Sequence, residues 1–169
     1  MGPKDSHSYA RAYEVKIQHA VFDWWVDFAT ATIKGQAQYS LVRSDPTADL
    51  ILDTDNLVIE EVRDQSGVSL PWSLGERDPL TGQALRIPLT HTTTEVHLAY
   101  KTQPQARALQ WLAREQTIGR KKPFLYSQGQ AILTRSWVPI QDSPGIRLTY
   151  EARIHVPSGF RAVMSAESL

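Results

Sequence analysis

Enzyme chemistry needs a nucleophile, an acid–base pair or a set of metal ligands at workable spacing, and this sequence is short of all three. Its five histidines are His7, His19, His91, His97 and His155, and no two of them lie three to five residues apart. The helical H-E-x-x-H pair that holds zinc is therefore absent. His91 and His97 are six apart, but His97 alternates with apolar Val96 and Leu98 and is expected to face outward, as is His155 in its own run. With no cysteine, disulfides, thiolate nucleophiles, Cys-ligated zinc and iron–sulfur clusters are excluded together. There is no G-x-S-x-G elbow, no P-loop and no G-x-G-x-x-G. The acidic pairs Asp53 and Asp55, and Glu60 and Glu61, have no histidine or third carboxylate nearby in sequence and read as turn and surface residues. One segment stands apart. In Phe124-Leu125-Tyr126-Ser127-Gln128-Gly129-Gln130-Ala131 two uncharged amides bracket a glycine. Glycine admits close backbone approach, and glutamine supplies donors and an acceptor without charge, which suits the amide and amine groups of a peptide. A satisfied structural turn accounts for the same residues.

The elements that would position such a loop are legible as alternation. Ile146 to Val156 is apolar at every even position and polar at every odd one, the mark of a strand with one face on a core. The same pattern runs through Ile33 to Leu41 and through Val96, Leu98 and Tyr100, with shorter strand-like runs at Leu50 to Leu52, Leu57 to Val62, Leu85 to Leu89 and Phe160 to Met164. Turn signals such as Ser44-Asp45-Pro46, Gln65-Ser66-Gly67 and Asp142-Ser143-Pro144-Gly145 separate them. The expectation is an all-β antiparallel sandwich with at most one short helix, Gln105 to Arg114. It forms one domain over residues 10–169, behind a flexible segment 1–9. In the first strand Val15 and Ile17 are apolar at odd positions but Val26 and Phe28 at even ones, so a bulge near His19 to Phe22 is expected. Trp24 then points inward. Trp25 points outward between Asp23 and Asp27, either covered by a loop or sheet edge or anchoring another protein.

Composition narrows the class. The 169 residues carry 18 Lys+Arg and 18 Asp+Glu, and a neutral chain is a poor nucleic-acid binder. No apolar run approaches the roughly 20 residues of a membrane span, and Met1 to Ala10 is too polar for a signal peptide. A soluble, cytoplasmic protein is expected, with neither nucleic acid nor membrane as partner. The neutrality is uneven. Residues 1–100 hold 8 basic and 14 acidic residues and residues 101–169 hold 10 and 4, so the halves carry −6 and +6. Such halves attract within one fold, or else the cluster Arg114, Arg120, Lys121 and Lys122 faces an acidic partner.

Several uncommon words occur in a fixed order. Val26-Asp27-Phe28, Thr32-Ile33-Lys34-Gly35, Leu52-Asp53-Thr54 and Leu74-Gly75-Glu76-Arg77 precede Ala108-Leu109-Gln110-Trp111-Leu112, Glu115-Gln116-Thr117 and Phe124 to Ile132. Arg135 to Pro139, Gln141-Asp142-Ser143-Pro144, Leu148-Thr149-Tyr150 and Val163-Met164-Ser165-Ala166 follow. Together they resemble, over about residues 10–167, the amino-terminal domain of the leukotriene A-4 hydrolase and aminopeptidase B branch of the M1 zinc aminopeptidases. The resemblance implies a β-sandwich or saddle that packs on a thermolysin-like catalytic domain, with the glutamine-rich loop reaching into the active-site cleft. Gln130 would help hold the peptide's free amino terminus or first carbonyl, while Gln128 and Ala131 line the pocket. The zinc ligands, general-base glutamate and transition-state tyrosine of this family lie in the following domain. By itself the chain is expected to hold no metal or other cofactor, to have no catalytic residues and to be inactive as a peptidase. The residues Tyr13, Phe22, Trp24, Trp25 and Ala31, in or beside the first strands, are more aromatic and less polar than the usual family pattern there. They raise a second expectation, a domain engineered as a binding or self-associating scaffold, with Phe22, Trp24 and Trp25 as the contact to a second copy or a designed partner.

Overall fold

The structure, a computed structural model, describes residues 5–168 and is all-β, as period-two alternation requires. The chain runs β1 (Val15–Asp27), β2 (Thr32–Arg43), β3 (Leu50–Thr54), β4 (Val58–Asp64), β5 (Ser73–Leu74), β6 (Gln83–Ile87), β7 (Glu95–Lys101), β8 (Leu109–Leu112), β9 (Phe124–Ser127) and β10 (Thr149–His155). These make a five-stranded sheet ordered β10-β1-β2-β7-β4, a three-stranded sheet ordered β3-β6-β5, and the hairpin β8-β9. One apolar core joins the two larger sheets. Ile17, Tyr39, Val96 and Tyr100 enter it from the first, and Leu50, Leu52, Leu85 and Ile87 from the second, all at most 1% exposed.

The inward face of β1 does change register. The shift falls between Ile17 and His19, at Gln18, one residue upstream of the expected stretch. The bulge turns Val15 and Ile17, then Ala20, Phe22 and Trp24, to the same core, all buried. Phe22 stacks on Trp24 at 4.7 Å and Trp24 packs against Trp137 at 4.8 Å. The Trp24 indole N–H donates to the Tyr100 hydroxyl at 2.8 Å, so the buried polar atom of each ring satisfies the other's.

Three expectations are corrected. Gln105 to Arg114 is not a helix: a turn at Pro104 and Gln105 leads into β8, which pairs with β9 over Leu109 to Leu112. A helix of that length is marginal alone, whereas as a strand the segment gains four cross-strand partners and buries Leu109. The only helical pieces among the described residues are 3-10 turns at Arg114–Gln116, Ile118–Arg120 and Thr134–Ser136. Ile146 to Val156 contributes only Thr149 to His155, and that strand runs parallel to β1, so the larger sheet is mixed rather than antiparallel throughout. Finally, Phe160 to Met164 forms no strand.

Gly35 shows how tightly the sheet face is filled. It stands opposite Trp24 in β1 and Tyr100 in β7, and a Cβ there would lie 2.4 Å from Cζ of the Tyr100 ring. Turns are held differently. The carboxylates of Asp27, Asp45, Asp64 and Asp78 each accept bonds from hydroxyl and backbone N–H groups of their own turns. The Thr30, Thr47 and Ser66 hydroxyls and, for Asp78, the Thr81 N–H hold these carboxyls below the ordinary range.

Gly35→Ala is expected to lower stability by about 1–3 kcal/mol through overpacking, read as a lower urea midpoint with an unchanged slope; a midpoint equal to the parent's would show that Tyr100 moves aside freely. The four turn carboxylates have folded values below their unfolded ones, so their stabilisation is complete above the unfolded value, about 3.9, and is lost as pH falls through the folded values. The unfolding midpoint should therefore fall on acidification below about pH 4, and fall less steeply in Asp64→Asn. Identical acid limbs for the two proteins would remove Asp64 from the account.

Candidate functional site

The glutamine segment emerges from β9 as a tight loop on the protein surface. Gln128, Gln130 and Ala131 are exposed, while the chain on either side is anchored. The Gln128 N–H donates to the Ala108 carbonyl at 2.8 Å, and the Leu133 N–H closes the loop onto the Gly129 carbonyl at 2.8 Å. Glycine is required at position 129 because a Cβ would lie 2.4 Å from the Thr134 hydroxyl oxygen. The peptide between Gln130 and Ala131 is cis. Ala108 N–H donates in turn to the Ser136 hydroxyl at 2.9 Å, which donates to the Leu133 carbonyl at 2.7 Å.

Below the loop lies Arg135, fully buried and the largest side chain in the protein with no exposure. Its Nε donates to Asp142 at 3.1 Å, and its terminal nitrogens donate to the carbonyls of Thr81 at 2.7 Å and Asp142 at 2.9 Å. Asp53, equally buried, lies 3.7 Å from the guanidinium and accepts from Ser8 Oγ at 2.6 Å, Tyr9 N–H at 2.7 Å and Asp142 N–H at 2.9 Å. Burial pushes the Asp53 carboxyl above its ordinary value, while the Ser8 hydroxyl, Arg135 and the two amides pull against it. Asp55 is also buried and binds Arg77 at 2.9 Å and Arg107 at 2.8 Å. The surface reading of Asp53 and Asp55 is thus corrected: both sit where β3 passes under the loop, and guanidinium groups make their burial tolerable. Glu60 and Glu61 are exposed.

The −6 and +6 halves meet at this point, since Asp53 and Asp55 come from the acidic stretch and Arg107 and Arg135 from the basic one. Residues 5–9, expected as part of a loose leader, are tied down by the Asp53 bonds and by Ser143 Oγ donating to Asp5 at 2.7 Å; residues 1–4 of that segment lie outside the described residues. Of the aromatic contact residues, Phe22 and Trp24 are 5% and 2% exposed and so belong to the core rather than to a surface. Trp25 is 38% exposed and stacks on His155 of β10 at 4.6 Å. His155 also binds Asp23 at 2.6 Å.

Chemically, the loop presents uncharged donors and acceptors on a fixed backbone. No group of three or more His, Cys, Asp or Glu among the described residues is arranged to hold a metal ion. No helix among them is long and apolar enough to cross a membrane. The sequence signals marked the loop segment but not Ser136, whose hydroxyl bonds to Ala108 and Leu133 on either side of it; a serine without periodicity carries no mark of that role.

Leukotriene A-4 hydrolase of Xenopus laevis is 37% identical over 169 residues, covering 96% of this chain and 27% of that protein. Aminopeptidase B of Mus musculus is 50% identical over 74 residues, which is 44% of this chain and 11% of the other. Yeast LTA4 hydrolase, solved with Bestatin, superposes with a TM-score of 0.84 at 27% identity over 90% of this chain and 25% of its own. An M1 zinc metallopeptidase from Deinococcus radiodurans shares the fold at a TM-score of 0.65 and 16% identity, over 86% of this chain and 33% of its own. The chain thus spans about a quarter of the length of the leukotriene A-4 hydrolases it matches. The Peptidase M1 N-terminal domain family matches residues 11–167, from just before β1 to beyond β10, and this chain belongs to it.

Proposed function

We propose that this chain acts as the substrate-facing amino-terminal domain of a zinc aminopeptidase, holding the amino end of a peptide while a separate catalytic domain hydrolyses the first bond. The observation that carries this reading is the loop Gln128 to Ala131, whose side chains are exposed while its backbone is bonded to buried residues. An amide oxygen can accept from the substrate's terminal amine, and the amide NH2 can donate to the first carbonyl. Because neither group carries charge, the released amino acid is not trapped by a strong ion pair. Gln130 is assigned the contact to the amine or first carbonyl, and Gln128 and Ala131 the walls beside it. Fixing one end of the substrate lowers the entropic cost of reaching the reactive geometry. The hydrolytic step is assigned to the catalytic domain. The family membership and the quarter-length match support a larger protein in which the catalytic domain is this domain's partner.

In the longer protein carrying this domain, Gln130→Ala should lower kcat/KM on aminoacyl-naphthylamides by roughly 10- to 100-fold, the worth of a hydrogen bond to a charged or developing group, while Trp25→Ala leaves it unchanged. The chain of 169 residues alone should hydrolyse none. Turnover by the chain alone that survives a chelator and disappears in His97→Ala would overturn the assignment.

A further inference from the structure

We propose that Ser136 is the positioning residue of the substrate loop, an inference that rests on the function proposed for Gln128 to Ala131. Four hydrogen bonds form a closed circuit around that loop. Gln128 N–H donates to Ala108 O at 2.8 Å, and Leu133 N–H donates to Gly129 O at 2.8 Å. Ser136 Oγ donates to Leu133 O at 2.7 Å and accepts from Ala108 N–H at 2.9 Å. Four of the five residues in this ring contribute backbone groups alone. Ser136 is the only side chain in it, and it makes the two links that join the end of the loop back to its beginning.

Burial gives the ring its stiffness. Ser136 is 1% exposed and Ala108 is fully buried, so when the hydroxyl is lost the Ala108 N–H is left without a partner and the Leu133 carbonyl keeps only the Ser136 N–H at 3.0 Å. Arg135 next door is fixed separately by Asp142, Thr81 and Asp53. That neighbour pins the far side of the 3-10 turn to β3, and the hydroxyl transmits the pinning to Leu133 and through its N–H to Gly129. Loss of the hydroxyl therefore frees the exposed amides without removing any group that meets the peptide.

Two measurements test this. In the 169-residue chain, hydrogen exchange of the Ala108, Gln128 and Leu133 amides is expected to speed up at least tenfold in Ser136→Ala, with Ala20 and Tyr39 in the core strands unchanged as the control for folding. Ser136→Thr, which keeps the hydroxyl, should restore slow exchange. In the longer enzyme, Ser136→Ala should lower kcat/KM on aminoacyl-naphthylamides by roughly tenfold and Ser136→Thr should recover most of it. Unchanged loop exchange in Ser136→Ala, or faster exchange that extends equally to Ala20 and Tyr39, would overturn the positioning role. Gln130→Ala separates the two readings: if it leaves kcat/KM unchanged the substrate-loop function fails, whereas a loss with Gln130→Ala and none with Ser136→Ala defeats positioning alone.

Discussion

The fold is organised around a guanidinium that no water reaches. Arg135 is buried beside Asp53 and Asp142, and a lone charge at such a depth would cost several kcal/mol or more. Its tolerance depends on complete pairing, and the pairing draws on distant parts of the chain: the strap at Ser8 and Tyr9, β3 at Asp53, the turn at Thr81 and the segment around Asp142. Removing one member of such a buried group costs about 3–5 kcal/mol, chiefly because the others are stranded. Asp53 also exchanges backbone bonds with Ile140. The three-stranded sheet, the amino-terminal strap and the loop region are in this way tied at one point.

The apolar core and the polar knot divide the labour. Phe22, Trp24 and Trp137 run as packed rings, the first pair stacked and the second tilted, from β1 toward the end of the 3-10 turn, supplying non-directional burial that holds the sheets together. Such burial alone leaves many nearly equal packings. The knot at Arg135 admits few, because hydrogen bonds at 2.6–3.1 Å to fixed donors and acceptors fail when elements slide. Rigidity at the base allows the loop above to be short and exposed. Part of the charge division of the sequence is used inside this region, where Arg107 and Arg135 answer Asp55 and Asp53.

Much of the scaffold was legible in the sequence because its cause is local. Alternation over Ile33 to Leu41 reports a strand whose one face is wet, and the change of parity between Ile17 and Ala20 reports a bulge, since a strand cannot otherwise keep both runs on the core. Pairing partners are another matter. Leu109 to Leu112 lacks alternation and is rich in good helix formers, and only β9, supplied from more than ten residues on, makes it a strand. The direction of β10 is likewise a consequence of the path taken after the loop, which no residue in Thr149 to His155 encodes.

By itself, then, the sequence determined an all-β domain of the M1 amino-terminal type, the inward placement of Trp24 and the position of an unusual glutamine loop, because these follow from periodicity, parity and a motif. The tertiary structure alone decided that Asp53 and Asp55 are buried rather than exposed, that Phe22 and Trp24 are core and so cannot serve as a contact face, and that Ser136 closes a ring under the loop. The physical reason is the same for all of these: the burial and pairing of a polar or aromatic group depend on what packs over it, and those groups come from positions as much as 138 residues away, as where the Ser143 hydroxyl donates to the Asp5 side chain.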